Sequence, residues 1–266
     1  MPKNFIVRIL LSICLFTISY YFLSCSQNNV TVDNSLKKIF DENNVTGTFA
    51  SWNNATGAVT VYDLKRYKKG LYSPGSSFDI ITALVGLQTG IISNDRKIDD
   101  GFEGLSMYDA FRVSYSPYFR EVARRIGKDQ MQRWLDTLYA GTQKINSRID
   151  TFWIDNSFKV IPDQQLGLMQ KLYLKKLSFY QPYQEMVIRA MLMEDNSNYK
   201  LSYKIGIANE NNNRIGWVLG WIEENKHPYF FVLNFETTDK NMDIKSVGVK
   251  MLKDILRQQG FLEGRM

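Results

Sequence analysis

Two periods of apolar spacing alternate along this chain. Met107 to Val113, Tyr118 to Ile126, Asp129 to Tyr139, Pro162 to Leu177 and Tyr183 to Leu192 carry apolar side chains three and four residues apart, some behind an acidic or proline start. That spacing predicts amphipathic helices. A period of two dominates elsewhere. Gly47 to Trp52 and Gly57 to Tyr62, bounded by turn formers around Asn53-Asn54, read as a strand pair, and Tyr203 to Ile207, Arg214 to Ile222 and Pro228 to Phe235 read as three strong strands. Glu223 to His227 makes the turn between the last two, and a final helix over Ile244 to Gln258 stops at Gly260. The order of elements predicts a mixed α+β domain. A sheet is flanked by terminal helices, an all-helical lobe stands beside it, and a cleft lies between them.

The first residues break this pattern. Lys3 and Arg8 precede an apolar stretch from Ile9 to Ile18, followed by Tyr20-Tyr21-Phe22-Leu23-Ser24-Cys25. This is the layout of an export signal, not a spanning helix of the mature fold. We expect residues 1–24 to be a signal peptide and Cys25 to be freed by cleavage for lipidation; an uncleaved anchor and ordinary signal cleavage are the alternatives. Residues 25–34, polar and rich in asparagine, then form a tether, and residues 35–266 the domain. The protein is expected to be exported, as a periplasm-facing or outer membrane lipoprotein whose membrane contact is the lipid.

With 266 residues and 44% apolar content the chain can bury one large core. The two cysteines are Cys14, inside the signal, and Cys25, so the mature fold has no internal disulfide to rely on. The formal charge of +6 falls to about +4 without Lys3 and Arg8, and the cations are interleaved with acids, as in Glu121 to Arg125. That balance supports no nucleic-acid partner. His227 is the sole histidine and falls in an expected exposed turn, which argues against a serine-histidine triad or a histidine zinc site. There is no phosphate-binding glycine loop or dinucleotide fingerprint, and no metal or other cofactor is implied. Trp217, Trp221, Tyr229, Phe230 and Phe231 are read as sheet packing.

Candidate chemistry concentrates at Pro74-Gly75-Ser76-Ser77-Phe78-Asp79, which leads into the apolar run Ile80 to Leu87. Further on stand Ser114 in Phe111-Arg112-Val113-Ser114, Ala123 to Gly127, Ile149 to Ile154 with Trp153, Lys204-Ile205-Gly206, and Ile215 to Trp221. In order and spacing these segments, from about Val45 to Gly260, resemble the class D β-lactamases and the related penicillin-sensing domains, which share the β-lactamase/transpeptidase-like fold. The resemblance implies an antiparallel sheet, Ser76 as nucleophile, Ser114 as the serine that relays a proton to the leaving nitrogen, and Lys204 beside it. It also implies a substrate wall of Trp153, Gly206 and Ile207, with the oxyanion held by the backbone amides of Ser76 and of the strand near Ile207. Two literal Ser-x-x-Lys tetrads, Ser35 to Lys38 and Ser197 to Lys200, lie in polar stretches and are read as coincidences.

The departures from the family pattern carry chemical meaning. Asp79 occupies the position of the lysine that in this family is carbamylated and serves as base, and a carboxylate cannot be carbamylated. Ser116 replaces a valine, Ala140-Gly141-Thr142 replaces Tyr-Gly-Asn, and Ile205 replaces the threonine whose hydroxyl helps hold the substrate carboxylate. A positioned base contributes roughly 10²- to 10⁴-fold, and a hydrogen bond to a charged group about 1.5 to 3 kcal/mol. Efficient turnover is therefore expected to be lost, unless burial among Ile80, Ile81 and Leu84 raises Asp79 toward neutrality and lets it act as base. Otherwise Asp79 is neutral, or pairs with Lys204 or an arginine. Two functions remain open: a penicillin-recognising serine hydrolase binding a β-lactam or peptidoglycan peptide at Ser76 with hydrolysis weak or lost, or a non-catalytic envelope lipoprotein that acts as a binding module.

Overall fold

The structure is a computed structural model, and it describes residues 29–99, 101–140 and 143–264. Cys14 and Cys25, the signal and the lipidation site therefore lie outside the described residues, as do Gly141 and Thr142. Along the chain come β1 (Val30–Val32), α1 (Lys37–Glu42), β2 (Thr46–Asn53), β3 (Val59–Tyr62), α2 (Leu64–Lys69) and α3 (Asp79–Gln88). The middle holds α4 (Met107–Val113), α5 (Ser116–Ile126), α6 (Lys128–Leu138), α7 (Pro162–Tyr173) and α8 (Gln181–Met191). Then follow β4 (Leu192–Asp195), β5 (Lys200–Glu210), β6 (Asn213–Glu224), β7 (His227–Thr237) and α9 (Ile244–Gln258).

The strands form one sheet in the order β1-β3-β2-β7-β6-β5-β4, antiparallel except where β1 runs parallel to β3. β1 is a finding against expectation: Val30-Thr31-Val32 falls within the polar tether, yet pairs with Val59-Thr60-Val61. The short β-branched run suits a strand edge, so the ordered fold begins before residue 35.

Alternation on the long strands divides the core. On β6, Trp217, Leu219 and Trp221 face the helical lobe while Val218 and Ile222 face α9; on β7, Val232 turns to the lobe and Phe231, Leu233 and Phe235 to α9. Period two thus supplies both faces of one sheet, and each is covered by apolar helix surface. α9 begins where Asp243 accepts hydrogen bonds from the amides of Lys245 and Ser246, and it buries Ile244, Met251, Leu252, Ile255 and Leu256. α5, α7 and α8 each carry proline in the first turn, where the missing N–H costs nothing. α3 differs from these amphipathic helices. All its residues from Asp79 to Leu87 are buried, and a helix apolar around its whole circumference must lie inside the fold. It runs through the lobe's centre, with its first turn at the cleft.

Candidate active site

The site is assembled by a close approach. A 3₁₀ turn over Gly75–Phe78 delivers Ser76 to the face of β5, and two glycines permit it. Gly75 has φ +53°, and a Cβ there would overlap the Ile207 carbonyl; one at Gly206 would lie 2.7 Å from the Pro74 carbonyl and 2.8 Å from Ser77 Cβ. Neither position tolerates a side chain without moving the strand or the turn. Phe78 and Trp153 stack with ring centroids 5.4 Å apart, and Gly75 N donates to Trp153 O at 3.0 Å, so the far side of the turn is fixed as well.

Ser76 is half-buried. Its hydroxyl is 3.3 Å from the Ile205 carbonyl, to which it donates, and it accepts from the Ile207 amide at 3.3 Å. Both partners are main-chain atoms of β5. Ser114 reaches the cleft by a different device: it caps α4 with φ +55° and ψ +47°, a left-handed conformation that costs a non-glycine residue roughly 1 to 2 kcal/mol. Strain of this kind persists where the surroundings over-determine it. Here it places Ser114 Oγ 2.9 Å from Lys204 Nζ.

Lys204 is the hub. Only 1% of its side chain is exposed, and its ammonium donates to Phe111 O at 2.7 Å and to Ser114 Oγ, with Asp79 Oδ2 at 2.9 Å. Its Nζ lies 4.3 Å from the Phe111 ring centroid. Asp79 Oδ2 has no aligned hydrogen bond, so it holds Lys204 by charge. Burial pushes the Asp79 carboxyl up against the pull of Lys204, and pushes the Lys204 ammonium down against the pull of Asp79. Each group opposes the shift that burial imposes on the other, so the two titrate as a coupled pair. Asp79 therefore pairs with Lys204, one of the outcomes its position allowed.

These residues open on a cavity of about 770 Å³ lined by Ser76, Asp79, Ser114, Trp153, Lys204 and Ile207. Of the residues expected at the site, Gly206 alone is absent from the wall: it packs directly against Pro74 and Ser77 of the turn. Ile205 lines the cavity where the resemblance implies a hydroxyl. Ala140 lies elsewhere, in a shallow hollow beside Tyr139 and Leu168. The cavity also contains Arg112, Ser116, Met193, Asn209 and Lys245. Arg112 and Ser116 flank the serine segment in sequence and were legible as neighbours; Lys245 enters from α9, distant along the chain, and no motif announced it. His227 is exposed, and none of the five aromatic residues assigned to sheet packing lines the cavity. Ser35, Lys38 and Ser197 are exposed and outside it.

Comparison with known proteins agrees with this architecture. The model of the penicillin binding protein transpeptidase domain matches residues 33–257. β-Lactamase OXA-19 of Pseudomonas aeruginosa is 30% identical over 227 residues, covering 80% of this chain and 85% of its own. FUS-1, a class D β-lactamase from Fusobacterium nucleatum subsp. polymorphum, superposes with a TM-score of 0.77 at 28% identity, over 86% of this chain and 98% of its own. The C-terminal domain of the Bacillus licheniformis BlaR penicillin receptor, 24% identical, shares the fold with a TM-score of 0.78 over 87% of this chain and 96% of that domain. By sequence match and by fold, this chain belongs to the penicillin-binding transpeptidase-domain family, among its class D serine β-lactamase-like members.

Proposed function

We propose that this protein recognises β-lactams, or the cell-wall peptides they imitate, through covalent attachment to Ser76, with hydrolysis of the resulting ester weak or lost. The observation that carries this reading is the pairing of Asp79 with Lys204. A carbamylated lysine carries negative charge at the end of a long stem. Asp79 supplies the charge on a short one, and that charge is engaged by the ammonium. It compensates Lys204 but is not hydrogen-bonded to Ser76, whose hydroxyl is held by the main chain of β5.

Acylation retains the nucleophile, the relay serine, Lys204 and the two backbone amides, and lacks the family's lysine base. Ser76 Oγ attacks the lactam carbonyl, the carbonyl oxygen gains negative charge opposite the amides of Ser76 and Ile207, and the C–N bond breaks as Ser114 passes a proton to the ring nitrogen. Lys204 replenishes Ser114, and the serine proton ends on the Asp79–Lys204 pair, so atoms and charge balance. Deacylation needs a base that activates water beside the ester, and the carboxylate of Asp79 is turned toward Lys204. The expected product is a long-lived adduct.

A second reading, a binding module without covalent chemistry, is favoured by one feature: the Ile207 amide, needed for the oxyanion, already donates to Ser76 Oγ. Intact mass after incubation with a penicillin, with Ser76→Ala as control and a chromogenic cephalosporin for turnover, separates the readings. A persistent adduct absent from the control, with no turnover, supports the first; multiple turnover overturns the loss of deacylation, and absence of any adduct leaves the second. We also propose that the domain is exported and held at a membrane through a lipid on Cys25. Detergent-free extraction of the Cys25→Ala protein tests that point.

A further inference from the structure

The charges around the cleft do not cancel. Its lining holds four ionisable groups whose charge matters: Asp79, Lys204, Arg112 and Lys245. Asp79 and Lys204 neutralise each other, and neither Arg112 nor Lys245 has a carboxylate partner within ion-pair distance among the described residues. Arg112 gives one guanidinium nitrogen to the Leu192 carbonyl at 2.5 Å and lies 5.5 Å from the Tyr108 ring centroid, which orients a group that lines the cavity. Lys245 is exposed, and the oxygens of the helix-capping Asp243 two residues before it are taken by the amides of Lys245 and Ser246 and the Ser246 hydroxyl.

The two cations stand on opposite sides of one strand. β5 pairs with β6 throughout, but with β4 only up to Ser202, so from Tyr203 onward its outer edge is open to the cavity. Arg112 reaches that edge from α4 in the helical lobe, and Lys245 from the first turn of α9 on the other face of the sheet. We propose that Arg112 makes this cleft selective for dianionic ligands. One carboxylate of the ligand is taken toward Lys245, and a second, on the acyl side chain, meets the Arg112 guanidinium. A planar guanidinium suits a carboxylate bidentately, and a cleft carrying net positive charge also raises the encounter rate of anions. The inference rests on the β-lactam reading of the preceding section and names the ligand class within it.

The test compares benzylpenicillin, with one carboxylate, and carbenicillin, which differs by a second carboxylate on the side chain. The second-order rate of adduct formation at Ser76 is followed by intact mass at low and at high salt. The wild-type protein is expected to favour carbenicillin roughly threefold to tenfold at low salt, with the preference shrinking at high salt. Arg112→Gln should bring the ratio to about one, while Lys128→Gln, which removes an equal charge outside the cleft, should leave it unchanged. Adducts forming at equal rates in the wild-type protein would overturn the dianion preference and leave the acylation reading standing. Absence of adduct with both penicillins would overturn that reading and the preference with it. A ratio that survives Arg112→Gln would reassign the selectivity and overturn the role given to Arg112.

Discussion

At the scale of single residues the decisive fact is that two buried charges depend on each other. Removing one partner of a buried ion pair strands the other and costs about 3 to 5 kcal/mol, whereas replacing both by apolar groups is often neutral. Asp79→Ala should therefore destabilise the fold by that amount in urea unfolding, and Asp79→Leu combined with Lys204→Met should recover most of it. A double variant no more stable than Asp79→Ala would show that the two residues are not coupled. Asp79→Lys, the substitution that restores the family tetrad, places a second ammonium against Lys204 and should also destabilise. Ser114 separates function from stability. Its left-handed φ suits glycine, so in Ser114→Gly the relieved backbone strain, about 1 to 2 kcal/mol, roughly offsets the lost hydrogen bond to the buried Lys204 ammonium, about 1.5 to 3 kcal/mol, while adduct formation at Ser76 slows by roughly 10²-fold, as expected for a lost proton relay. The tetrad serine, Ser114 and Lys204 were legible from motif order, and pairing was one of the outcomes open to Asp79. The 2.9 Å approach of the two charges was not, because it depends on how close β5 and α3 come together.

Among the elements, the close contact between the turn carrying Ser76 and β5 sets the site. Its signal in the sequence was two glycines, Gly75 and Gly206, which motif reading treats as spacing and packing treats as clearance. Gly206→Val should push Pro74 and Ser77 off the strand, cost about 2 kcal/mol or more as an overpacked site, and abolish penicillin labelling, with Gly167→Ala as a control at an open position. Labelling that survives Gly206→Val would show that the turn needs no such clearance. Long elements were legible to within a few residues: Met107 to Val113 and Ile244 to Gln258 are helices with those bounds. The short ones escaped, because α1, α2 and β4 have 6, 6 and 4 residues and show too little periodicity. α2 exists through tertiary contacts: Asp63 accepts from the Arg66 amide at its start, and the Arg66 guanidinium bonds Asn234 at 3.0 Å and reaches Glu236 on β7.

For the molecule as a whole, two apolar layers on one sheet supply most of the stability, and a few buried carboxylates decide how it responds to acid. Asp150 is buried beside α5 and receives Arg124 Nε at 3.1 Å, Arg148 Nε at 3.2 Å and Arg120 Nη2 at 3.3 Å. Burial alone would raise its carboxyl, but the hydrogen bonds from Arg124, Arg148 and Arg120 hold it below the ordinary range. Glu236 behaves in the same way: burial raises it, and Arg66 and Asn213 bring it lower. A carboxyl depressed by folding contributes stability that is complete above its unfolded value, about 3.9 for Asp and 4.3 for Glu, and that is lost as pH falls through the folded value. Acid should therefore leave the fold intact down to about pH 4 and then unfold it steeply, the positive charge of the chain adding self-repulsion. Asp150→Asn removes one of these groups and leaves three arginines facing one another, so it should be less stable than the wild type at pH 7. The difference should narrow as the pH is lowered below 4, where the wild-type carboxylate takes up its proton. Urea midpoints for the two proteins at pH 7, 5 and 3 measure this directly: convergence at low pH identifies Asp150 as a source of acid sensitivity, and parallel curves would place that sensitivity elsewhere.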